Sequence, residues 1–166
     1  VNHHTFRFAK KAESLGLAVI DDPGSILKCT NKVYLFELLN AHKILTPKSY
    51  VITEENCQQL PQKMAFPFIL KQPDGAFSKG VHKIDNLDQF KEIRENMFEK
   101  SDLLIAQEFL PTPFDWRVGI VDNQVIYVCK YFMASEHWQI VNWSAQKADS
   151  RDGDVASIAV DQAPSG

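Results

Sequence analysis

Phe68-Ile-Leu-Lys71-Gln-Pro-Asp-Gly75-Ala-Phe-Ser-Lys-Gly80-Val-His-Lys-Ile84 is the stretch on which the architecture turns. An apolar run of strand length delivers a lysine. A turn-rich loop with glycines at both shoulders follows, and an alternating strand resumes at Val81. This is the pattern of an antiparallel hairpin with a long tip. A lysine leaving an apolar strand has a fixed stem and a buried neighbourhood, which suits it to an anionic phosphate. Glycine lets backbone amides come close to such a ligand. The loop is not of Walker A type, lacking G-x-x-x-x-G-K-[ST]. Taken alone, it also fits a surface hairpin with solvated lysines.

Downstream, Asn86 caps a predicted helix over 87–98, and residues 103–110 form an apolar strand that stops at Pro111. Residues 114–121 and 124–133 read as a second hairpin turning at Asp122-Asn123. Beyond Ala134 the periodicity fails. Residues 137–142 are assigned to a strand and 144–154 to a polar loop. Upstream, a helix is expected over 6–15, a buried strand over 17–20 and a turn at 21–24. A helix from Asn31 to His42 with Thr30 as its cap comes next. A strand over 50–52 and a short helix opened by Thr53 and ending near Pro61 complete this half. The order gives an α+β class, a mostly antiparallel sheet with helices preceded by a short α/β segment. No strand runs into G-x-G-x-x-G, so a Rossmann fold is not indicated.

The 166 residues carry 18 Lys+Arg against 21 Asp+Glu, a net charge of −3, and 45% are apolar. That is a globular composition with enough chain for a real core. The acidic balance and dispersed basic residues argue against a nucleic-acid binder. Three cysteines, Cys29, Cys57 and Cys129, do not all pair within one chain, and none forms C-x-x-C. A reducing compartment, the cytoplasm, is the expectation. No apolar run reaches membrane-spanning length. A start at Val1 without Met and an end at Ala163-Pro-Ser-Gly166 suggest a piece of a longer product.

Further candidate chemistry lies in three places. Leu104 to Pro111 brings a carboxylate, Glu108, to a strand end, where backbone and side-chain groups can meet a purine. Asp115 and Arg117 share one face by alternation, either as an exposed ion pair or to hold a ribose beside a phosphate; Lys130 lies on the return strand. Lys32 begins a helix, where the macrodipole opposes a cation, and a bound anion would supply a reason.

Lys32, Lys71 with its loop, Gln107-Glu108-Phe109-Leu110 and Asp115-x-Arg117 occur in the order and spacing of the ATP-grasp ligases. The chain most resembles the RimK-type branch, which ligates glutamate to carboxylates and is similar to glutathione synthetases. The stretches from Asp21 to Tyr34 and His137 to Ile140 share in the likeness, which runs from about residue 5 to the end. It implies an ATP-grasp-like fold in three parts. Residues 1–45 end a pre-ATP-grasp segment and linking helix, 46–110 form the N-terminal lid subdomain, and 111–166 begin an incomplete C-terminal subdomain.

The resemblance implies roles as well. Lys32 and Lys71 reach the nucleotide phosphates, and the loop with Gly75, Ser78, Lys79 and Gly80 folds over them. Glu108, Phe109 and Leu110 hold the adenine. Asp115 meets the ribose or the substrate. Arg117 and Lys130 act in catalysis by neutralising phosphate or a substrate carboxylate. Residues 137–142 correspond to a substrate-facing loop. The implied reaction phosphorylates a carboxylate with ATP and lets an amine displace the phosphate, giving an amide. Glutamate is the implied amine, added to a small molecule, peptide or protein. Magnesium is expected, but its acidic and Glu-x-Asn ligands do not appear after Ala134. Asp149, Asp152, Asp154 and Asp161 read as solvated, so the metal strands are expected downstream of this chain. Two readings compete: a nucleotide-binding regulatory module without ligase activity, and a purely structural α+β domain.

Overall fold

The computed structural model describes residues 3–75, 79–145 and 151–163. They fall into two compact units, residues 1–109 and 110–166.

The first unit opens with three helices: α1 (His3–Ser14), α2 (Pro23–Thr30) and α3 (Lys32–Ala41). The strand expected over 17–20 is not formed. No strand precedes Ser49 among the described residues, and Leu17 and Ile20 lie exposed with no ladder to join. The turn expected at 21–24 is instead a helix start. Asp22 accepts the Ser25 amide at 3.0 Å and Pro23 occupies the first turn, where its missing N–H costs nothing. Thr30 therefore closes α2, its hydroxyl donating to the Ile26 carbonyl at 2.6 Å. The cap of α3 is Asn31, one residue later than expected, whose Oδ1 accepts the Val33 and Tyr34 amides.

A four-stranded antiparallel sheet follows, built from β1 (Ser49–Ile52), β2 (Phe68–Lys71), β3 (Val81–Ile84) and β4 (Leu104–Glu108) in the order β1-β4-β2-β3. A one-turn 3-10 helix (Cys57–Gln59) and α4 (Leu60–Lys63) lie between β1 and β2. The helix expected from Thr53 thus starts later and runs through Pro61, which sits in its first turn. Helix α5 (Leu87–Phe98) has the expected bounds, with Asn86 accepting the Gln89 amide at 3.0 Å.

Strand alternation sorts the sheet into two faces. Ile52, Phe68, Leu70, Ile84, Leu104 and Ala106 join Phe90 and Met97 of α5 in the core. Phe68 and Phe90 are fully buried and meet edge-to-face at 5.5 Å. The other face carries Ser49, Ile69, Lys71, Val81, Lys83, Ile105 and Gln107, as the register requires. The core holds one face rigid so that the other can present polar groups.

The second unit is the sheet β5 (Phe114–Val121), β6 (Gln124–Phe132) and β7 (Val155–Ile158), in that order and antiparallel. Asp122 and Asn123 both take positive φ, the geometry a two-residue hairpin turn demands. The register slips after Gly119, where an added Cβ would fall within 2.1 Å of the Tyr127 ring. β7 follows directly on the polar loop expected over 144–154 and was not anticipated as a strand. Residues 137–142 are not a strand; they contribute only the bridge from Val141 to Asp152. No helix of the described residues is long and apolar enough to cross a membrane.

Candidate functional site

Within the first unit, two lysines from distant parts of the sequence meet at the base of the glycine-flanked loop. β2 delivers Lys71, half-buried, onto the polar sheet face. α3 delivers Lys32, whose amide donates to the Pro73 carbonyl at 3.0 Å. The Lys32 ammonium also donates to the Gly75 carbonyl and, at 3.4 Å, to that of Pro73. The loop is thereby tied to the start of α3, and Asn31 adds a bond of 3.2 Å from Nδ2 to Asp74 Oδ1. The two shoulders of the loop close on each other. Gln72 N donates to Gly80 O at 3.2 Å, and a Cβ on Gly75 would lie 2.7 Å from the Lys79 carbonyl. Gly80 has φ +67, which favours glycine. Ser78 lies outside the described residues.

Burial pushes the pKa of both lysines down. For Lys71 the nearby Lys32 charge pushes the same way, while Asp74 partly offsets burial at Lys32. Neither ammonium has a carboxylate at ion-pair distance among the described residues; the ion pairs there are Lys10–Glu13, Lys83–Asp85 and Lys91–Asp88. Lys71 is held instead by a neutral acceptor, Gln107 Oε1 at 2.8 Å. Gln107 Nε2 donates to Ser49 Oγ at 2.9 Å, and that hydroxyl donates to the Pro47 carbonyl at 2.9 Å. Two desolvated like charges held beside each other by carbonyls and an amide favour a polyanion. Sequence reasoning quoted Gln107 within a motif but gave it no role. Its signal was alternation: β4 pairs with β2 so that Gln107 shares a face with Lys71.

Glu108 closes the strand end differently. Its Oε1 accepts the Lys48 amide at 2.7 Å, while its own amide donates to the Lys48 carbonyl at 2.9 Å. By alternation its side chain belongs to the sheet face opposite Lys71. Phe109 returns to the lysine side, with Lys83 Nζ 4.9 Å from its ring centroid. Of the expected adenine residues, then, Phe109 offers a ring and Glu108 a carboxylate with one oxygen already engaged.

The second unit contains Leu110, Asp115, Arg117 and Lys130. Leu110 is exposed just before β5. Asp115 and Arg117 share a face, as expected, but form no ion pair; Thr112 Oγ1 donates to Asp115 at 3.4 Å and the Arg117 guanidinium stacks 4.5 Å from the Tyr131 centroid. Lys130 pairs with Trp116 in the register, so it occupies the opposite face. Its ammonium lies 4.6 Å from the Phe114 centroid and 5.1 Å from that of Trp116. The structure therefore brings Asp115 and Arg117 together and separates Lys130 from both.

The RimK-like ATP-grasp domain model matches residues 29–136, well over half of the sequence and a span that includes Lys32, Lys71, Gln107, Glu108, Asp115, Arg117 and Lys130. The chain belongs to the RimK-like ATP-grasp family. It is 30% identical over 118 residues to the alpha-aminoadipate--LysW ligase LysX of Saccharolobus solfataricus, covering 68% of this chain and 43% of that protein. Among solved structures, it resembles a RimK domain ATP-grasp protein of Sphaerobacter thermophilus with TM-score 0.68 and 17% identity, over 76% of this chain and 50% of that one. The D-alanine--D-alanine ligase of Bacillus anthracis complexed with ATP aligns with TM-score 0.60 and 21% identity, over 74% of this chain and 42% of that one. The structural likenesses establish the ATP-grasp fold. The chain spans half or less of the length of these proteins.

For magnesium, implied by the family, the described residues hold no fitting donor set. No group of three or more His, Cys, Asp or Glu side chains that could hold a metal is found among the described residues. Asp152, Asp154 and Asp161 are exposed, and Asp149 lies outside the described residues.

Proposed function

We propose that this chain is the ATP-binding portion of an ATP-dependent carboxylate–amine ligase that works through an acyl phosphate. The observation that carries the reading is the half-buried Lys32–Lys71 pair, held by loop carbonyls and the Gln107 amide with no carboxylate at ion-pair distance among the described residues. Membership of a family with named ligases, and a fold shared with a ligase complexed with ATP, support it. In this reading Lys32 and Lys71 bind the phosphates, with Gly75, Ser78, Lys79 and Gly80 supplying the covering loop. Glu108, Phe109 and Leu110 take the adenine. Asp115 takes the ribose and Arg117 the transferred phosphate or the substrate carboxylate. Lys130, on the other face of its sheet, positions the hairpin through its aromatic contacts. Residues 46–110 form the lid subdomain and 111–166 the start of the C-terminal one. Transfer then depends on placing the carboxylate in line with the terminal phosphate and stabilising the developing charge. The three free thiols support a reducing compartment, the cytoplasm.

A ligand that binds only the folded state raises stability by mass action, about 2.7 kcal/mol at a hundredfold excess over Kd. Thermal melts with and without MgATP should show a rise for this chain that Lys71→Ala loses. An equal rise in Lys71→Ala would overturn the assignment of the site. Amide formation by a longer chain carrying these residues tests the reaction itself.

A further inference from the structure

A half-open polar cavity, of about 190 Å3, lies where α5 ends beside the base of the 72–80 loop. Gln72, Gly80, His82, Asn96 and Lys100 line it together with two apolar side chains of α5. His82 pairs with Leu70 on the α5 side of the sheet, whereas Lys71 pairs with Val81 on the other side. The cavity therefore lies across the sheet from the paired lysines. Its lining holds no carboxylate. The His82 ring, the Gln72 amide and the Lys100 ammonium make no side-chain hydrogen bond among the described residues. Asn96 Nδ2 already donates to the Glu92 carbonyl at 3.1 Å and keeps one N–H, so among the described residues the donors of His82, Gln72 and Lys100 and this remaining N–H face the space.

We propose that this cavity binds a small doubly charged oxyanion of the phosphate class, held by imidazolium His82, Lys100 and the side-chain amides of Gln72 and Asn96. Its lining sets the class, two cations with side-chain amides, and its volume equals roughly six waters at ~30 Å3 each, room for a phosphate. Burial, and then the Lys100 charge, push the His82 pKa down. An anion seated between the two cations reverses both effects, because it favours the charged imidazole. The seat also touches both shoulders of the loop, Gln72 and Gly80, which are already joined by the Gln72 N to Gly80 O bond. An occupant braces the base of the loop from the side away from Lys71. The inference stands apart from the nucleotide reading, since none of its residues is used there except the backbone of the Gly80 shoulder.

The test is an NMR titration of the imidazole resonances with inorganic phosphate at constant ionic strength set by chloride. His82→Gln identifies the His82 signals. The expected result is a saturable phosphate-dependent shift of the His82 resonances, larger than that of His42, retained in Lys71→Ala and lost in Lys100→Gln. A His82 shift no larger than that of His42 overturns the proposal. So does a shift that survives Lys100→Gln, or one that disappears in Lys71→Ala, which would trace it to the lysine pair.

Discussion

At the scale of single residues, Gln107 shows why chemistry beside a lysine matters as much as the lysine. A carboxylate at that position would neutralise Lys71 and remove the reason for an anion to bind. The amide orients the ammonium at 2.8 Å while leaving its charge unspent, and its own orientation is fixed by Ser49. The Lys71 pKa is lowered in the folded state, so between that value and the 10.5 of an unperturbed lysine the unfolded chain binds more protons. Stability must therefore rise with pH across that window. Gln107→Glu is expected to lift the folded-state pKa and flatten this rise, and also to shrink the stabilisation by MgATP. Urea denaturation at several alkaline pH values, with and without nucleotide, reads both. A variant with the same pH slope as the parent would show that Gln107 does not govern the Lys71 charge.

At the scale of elements, two asparagine caps with the same local job differ in what else they hold. Asn86 accepts one amide at the start of α5 and nothing more distant. Asn31 accepts two amides at the start of α3 and also reaches Asp74, 43 residues away in the loop. Each cap lost to alanine should cost about 1 kcal/mol. Only Asn31→Ala should weaken the MgATP response in addition, because it loosens the tie between α3 and the loop. Paired chemical denaturation and nucleotide titration separate the two, and an equal nucleotide response in both variants would deny α3 a part in the site. The same comparison shows what the sequence made legible. Helix α5 and the hairpin of β2 and β3 were readable because an apolar period, a cap and a strand-length run agreed. α2 was missed because Asp22-Pro23 is turn chemistry and helix-start chemistry at once. β7 was missed because four residues gain their strand character from β6, not from their own pattern. Its approach also depends on Gly153, where a Cβ would fall 1.8 Å from the Phe132 carbonyl. The expected strand over 17–20 failed for the converse reason: it had the apolar pattern and no partner.

At the scale of the whole molecule, a net charge of −3 carries a locally positive site. The candidate residues stood out in the sequence as an ordered set of motifs, and alternation put Asp115 with Arg117, whereas the other groupings depend on register. Register put Lys71 with Gln107, His82 across the sheet, and Lys130 apart from Arg117. On the proposed reading, the global charge repels ATP at long range, whereas the half-buried lysine pair attracts it at contact. Salt screens exposed, distant charges over about 10 Å at 0.1 M and acts less on buried ones. Added salt should therefore weaken the distant repulsion along with the local attraction, and the two losses partly cancel. Calorimetric titration of MgATP between 50 mM and 300 mM salt should accordingly change Kd by less than about tenfold, or 1.4 kcal/mol. A dispersed basic surface would behave otherwise, losing several decades as condensed charge is released. A steep salt dependence here would mean that exposed lysines, rather than Lys32 and Lys71, carry the binding.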